Sequence, residues 1–107
     1  MQVMYDNGEY KVIYCHNMKK RRFMAVNKKD IKKHTHRYSC KECIDICNFA
    51  KHESLPRGSS ADFLLSLYRI LPLGKFRDKV ERLMNTKANK LKGNQKYYIN
   101  VQKGGRK

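Results

Sequence analysis

Three of the four cysteines, Cys40, Cys43 and Cys47, fall within eight residues, and the fourth, Cys15, lies 25 positions upstream. Nothing else constrains this chain so strongly, because clustered thiols are cross-linked, bound to metal or buried. A length of 107 residues allows one domain and one core. A disulfide framework belongs to an oxidising compartment, and the segment Met1 to Tyr10 lacks the apolar stretch of a secretory signal. Cys40-Lys41-Glu42-Cys43 is a C-x-x-C, whose short loop aims two thiolates at one ion, and Zn²⁺ takes four S or N ligands in a tetrahedron. Zinc held by Cys15, Cys40, Cys43 and Cys47 is therefore the expectation, with His16 beside Cys15 as a substitute ligand and His34, His36 and His52 as further nitrogen donors. Cys15 and Cys47 also suit a core position, since an unligated cysteine behaves as a small apolar group.

The charge balance narrows the partners. Twenty-five Lys or Arg stand against nine Asp or Glu, a formal net charge of +16, and this excess calls for an anion. At 40% hydrophobic residues, with seven Tyr and four Phe, the chain still carries enough apolar mass for a modest core. No stretch approaches the roughly 18 apolar residues of a membrane span, so the expectation is an intracellular protein without a membrane partner. Between Met18 and Arg37 there are nine cations, Lys19, Lys20, Arg21, Arg22, Lys28, Lys29, Lys32, Lys33 and Arg37, and one acid, Asp30. Cations at this density suit phosphates, each neutralised phosphate releasing counterions, and such contacts fix position rather than sequence. Phe23, Tyr38, Tyr97 and Tyr98 interleave with them and suit stacking on unpaired bases of RNA or single-stranded DNA. Core packing is the competing use of Phe23 and Tyr38.

Residues 10–14 (YKVIY) and 22–26 (RFMAV) are rich in β-branched and aromatic side chains and flank a polar stretch, which reads as a β-hairpin. Asn7-Gly8 marks a turn before it, and Asn27 to His34 reads as a short helix capped by Asn27. After the loop Pro56 to Ser60, either Ser59 or Ser60 caps a helix carrying Phe63, Leu64, Leu67, Tyr68 and Leu71 at spacings of three and four. Pro72 and Gly74 end that helix. A second, from about Lys75 to Leu91, carries Phe76, Val80, Leu83, Met84, Ala88 and Leu91, which suit packing on the first helix or on a protein partner. Tyr97 to Val101 suits a late strand before a basic tail. The fold class is α+β: a hairpin and zinc-knuckle module over 1–55, a helical hairpin packed on it over 56–92, and a basic tail over 93–107.

Tyr10-Lys11-Val12-Ile13-Tyr14-Cys15, followed after a basic segment by Tyr38-Ser39-Cys40-Lys41-Glu42-Cys43, resembles the small zinc ribbons of bacteriophage proteins and of the DNA-binding parts of homing endonucleases. The chain departs from that pattern at Met18, where a ribbon carries cysteine. Cys43-x-x-x-Cys47-Asn48-Phe49-Ala50-Lys51, with the capped helix after it, is similar to the closing segment of HNH-type nucleases, though one residue longer between its cysteines. The first resemblance implies a zinc-stabilised, non-catalytic nucleic-acid-binding protein, such as a phage or viral regulator. The second implies a metal-dependent endonuclease with His34 or His36 as general base and Asn48 as a further polar group, although the Asp-His pair usual in that family is missing. A ribonucleoprotein component, as in a ribosome, accounts for the same charge.

Overall fold

A computed structural model describes residues 2–90, with side chains to Thr86. The segment 93–107, with Tyr97, Tyr98 and the late strand read there, lies outside the described residues, as do Leu91 and the side chain of Ala88. The architecture is α+β. Four strands, β1 (Gln2–Asp6), β2 (Tyr10–Tyr14), β3 (Phe23–Asn27) and β4 (Asp30–Arg37), form an antiparallel sheet in chain order. Three helices follow: α1 (Cys40–His52), α2 (Ala61–Ile70) and α3 (Lys75–Lys90).

Asp6-Asn7-Gly8 makes the first turn. Asn7 Oδ1 accepts from the Glu9 and Tyr10 amides, and Gly8 takes a φ of 101°, a conformation open to glycine. The expected hairpin is formed by β2 and β3, with Tyr10 opposite Asn27 and Tyr14 opposite Phe23. β1 extends it on one side. On the other side the helix read from Asn27 to His34 is replaced by a turn and β4. Asn27 Oδ1 accepts from the Lys29 amide, and its Nδ2 donates to the Ile70 carbonyl, so the side chain shapes a turn and anchors it to α2. Thr35 and His34 then pair with Ala25 and Val26. A ladder along β3 outweighs the helical preference of a Lys-rich segment, since tertiary pairing overrides local propensity.

The cysteine cluster is a helix, not a loop. Ser39 and Glu42 form a reciprocal capping box at its start, and Cys43, Ile46, Cys47 and Ala50 follow at helical spacing and are buried. The second helix starts at the Ser60 cap as the sequence suggests, and the third covers the expected span. One buried cluster joins Tyr10, Val12 and Ala25 of the sheet to residues of all three helices, among them Ile46, Leu64, Leu67, Ile70 and Val80. Strand alternation sends Ile13, Cys15 and Val26 to the other face, where Met18 and Met24 pack against them and no described helix does.

Candidate nucleic-acid interface

The loop from Cys15 to Arg22 projects beyond β2 and β3. Its base is tied by the Cys15 amide donating to the Arg22 carbonyl at 2.7 Å, and a tight turn forms where the Met18 amide donates to the Cys15 carbonyl at 3.3 Å. Lys19, Lys20, Arg21 and Arg22 are exposed beyond that turn. Among the described residues none of the four is in an ion pair. Arg21 holds a φ of 52°, which a non-glycine residue rarely adopts. Its guanidinium lies 5.2 Å from the centroid of the Tyr38 ring. Tyr38 itself is 62% exposed, so of its two anticipated uses the structure leaves the ring open to solvent. Arg22 donates to the Tyr14 hydroxyl at 2.9 Å, and the Tyr14 ring packs against both His16 and Phe23. Phe23 is the aromatic that packs on the core.

The other predicted cations are dispersed. Lys28 and Lys29 occupy the β3–β4 turn at the opposite end of the sheet, and Lys28 is paired with Asp6 at 2.9 Å. On β4, Lys32 is exposed and Lys33 half-buried, in the stretch where the register with β3 shifts. Arg37 faces the helices. Its guanidinium donates to Glu42 at 2.8 Å, Asp62 at 2.7 Å and Ser66 Oγ at 2.9 Å, and lies over the Phe63 ring, with only 12% of the side chain exposed. It clamps β4 to α1 and α2. Of the nine cations, four form one cluster.

The cysteines are distributed too. Cys40, Cys43 and Cys47 share one face of α1, while Cys15 lies in the cluster on the far side of the sheet. Cys43 and Cys47 are fully buried, and burial pushes both thiols up to about 12, so they are neutral packing groups at physiological pH. Cys47 Sγ donates to the Lys11 carbonyl at 3.7 Å. His52 stands at the far end of α1. Among the described residues no three His, Cys, Asp or Glu side chains are grouped as a metal would require. The sheet separates Cys15 from the three thiols of α1.

Nor do the nuclease candidates converge. His34 and His36 stack edge to face, 5.4 Å apart, on the helix-free face. Asn48, on α1, accepts from the Tyr5 hydroxyl at 2.9 Å and from Asn7 Nδ2 at 3.0 Å, across the sheet from both histidines. Burial, with His34 nearby, holds the His36 imidazole below its ordinary value. Tyr14, which the sequence did not single out beside these cations, stands at the end of β2 where the basic loop begins.

No family model matches the chain, and no curated protein or solved structure does either.

Proposed function

We propose that this protein binds nucleic acid through the β2–β3 end of its sheet and catalyses no reaction there. The observation that carries this reading is the cluster of four exposed cations, Lys19 to Arg22, without a carboxylate partner among the described residues and beside the exposed ring of Tyr38. Unneutralised cations on a projecting loop favour phosphates, and the net charge of +16 adds a long-range attraction that salt screens. Tyr38, with Arg21 against its ring, offers a flat surface on which a base stacks. No groove-reading helix is needed for contacts of this kind, and they carry little sequence preference.

The test is a salt-titrated binding assay against duplex DNA, single-stranded DNA and RNA of one length. Replacing Lys19, Lys20, Arg21 and Arg22 together by Glu is expected to weaken binding and reduce the dependence of log K on log salt by up to about four phosphate contacts. Tyr38→Ala is expected to weaken binding by about 1–3 kcal/mol on single strands, with the salt slope unchanged. Unaltered affinity in the charge-reversed chain sinks the proposal for this end of the molecule.

A further inference from the structure

The base of the same loop encloses a second feature, independent of nucleic acid. A cavity of about 280 Å³ opens there, lined by Cys15, His16, Asn17, Met18 and His36. Its lining brings together a thiol, a thioether and imidazoles and contains no carboxylate. The turn closed by the Met18 amide on the Cys15 carbonyl folds Met18 back towards Cys15, and both belong to the small cluster on the helix-free face. His36 comes from β4, on the other side of β3.

Among the described residues, Nδ1 of the His36 imidazole is buried without a hydrogen-bond partner. Folded proteins seldom leave a buried nitrogen unsatisfied, and a bound ion is one of the ordinary reasons.

We propose that this cavity is a site for a soft monovalent metal ion of the Cu(I) class, held by Cys15 Sγ, Met18 Sδ and His36 Nδ1. Thiolate and thioether sulfur select such an ion, whereas Mg²⁺ and Ca²⁺ require oxygen and structural Zn²⁺ four S or N donors. The set uses one cysteine and one histidine, so it is compatible with the absence of any grouping of three His, Cys, Asp or Glu among the described residues. On binding, the Cys15 S–H bond breaks, its proton passes to solvent and the sulfur lone pair forms the bond to the ion, with no change of oxidation state. The ion would join the β2–β3 loop to β4 directly beneath Lys19 to Arg22.

The experiment is an anaerobic titration of the reduced full chain with Cu(I) against a chromophoric Cu(I) chelator. The chain is expected to withhold one Cu(I), and Cys40→Ser, which removes the partly exposed thiol of α1, is expected to withhold the same. Cys15→Ser is expected to lose the ion. Met18→Leu keeps the apolar volume and is expected to weaken binding by about tenfold or more, as disturbing a metal's surroundings commonly does; it keeps the test decisive if Cys15→Ser fails to fold. His36→Gln is expected to act like Met18→Leu. No Cu(I) withheld by the native chain, or equal retention by the native, Cys15→Ser and Met18→Leu chains, overturns the site. Displacement of Cu(I) by an equal concentration of Zn²⁺ overturns the assignment to a soft ion.

Discussion

The two faces of the sheet come from the same four strands and are built in opposite ways. The covered face sends Tyr10, Val12 and Ala25 into a cluster shared with three helices, and its polar positions Asn27 and Arg37 reach partners on α1 and α2. The other face holds a small cluster of Ile13, Cys15 and Val26 with two methionines, and beside it stand His34 and His36. The larger buried cluster lies on the first face and the smaller on the second. The division follows from strand alternation: a residue moved by one position changes sides and changes its physical role.

The comparison breaks most visibly if core truncations on the two faces cost the same. Leu67, fully buried between helices and sheet, is expected to lose about 2–5 kcal/mol on replacement by Ala, because a cavity remains where no neighbour can collapse. Met24→Ala, on the sparsely packed face, is expected to cost roughly 1 kcal/mol. Urea unfolding of both variants measures the difference. Equal losses would mean that the open face is as well packed as the covered one.

Arg37 sharpens it next. By sequence it is one more cation in a basic run, and in the structure it bridges Glu42, Asp62 and Ser66. Arg37→Ala is expected to cost about 1.5–3 kcal/mol, the range for hydrogen bonds to charged groups, with Asp62 contributing the smaller share because water screens its exposed carboxylate. The salt slope of nucleic-acid binding is expected to stay that of the native chain. A lower slope at unchanged stability would return Arg37 to the phosphate-binding set.

What was legible in the sequence follows the same division. Helices α2 and α3 announced themselves through apolar spacing, the Ser60 cap and the Pro72 to Gly74 break, and β2 and β3 through their β-branched and aromatic runs. β4 was hidden because its inward positions are Thr35 and Arg37, so no apolar alternation marks it. β1 was hidden because Val3 and Met4 are exposed and a bulge interrupts its register. Helix α1 was obscured by its chemistry. Cysteines at 40, 43 and 47 suggest ligands, yet they also repeat at helical spacing behind a Ser-x-x-Glu box, and the ligand pattern masked the helical one. Of the site, the Lys19 to Arg22 cluster was readable because it is contiguous. The exposure of Tyr38 and the engagement of Arg37 depend on distant residues that the local sequence does not reveal.

The smallest expected effect concerns acid, and it separates the two faces by protonation. Glu42 holds both ends of one arrangement: it accepts from Arg37 and from the Ser39 amide that starts α1. Hydrogen bonding from Arg37, opposed in part by burial, holds its carboxyl below the ordinary value of 4.5. A carboxyl lowered in the folded state binds its proton more readily once unfolded. Its contribution to stability is therefore complete above about pH 4.5 and fades as the pH falls through the lower folded value. Thermal unfolding followed from pH 7 down to pH 3 is expected to show this loss in the native chain, and Glu42→Gln is expected to flatten that part of the profile while lowering Tm at neutral pH. Glu42 and Asp62 both accept from the Arg37 guanidinium, so Asp62→Asn serves as the control for the second acid on the clamp. A profile equally steep in native and Glu42→Gln chains would move the acid sensitivity away from the covered face, and the asymmetry between the faces would then rest on packing alone.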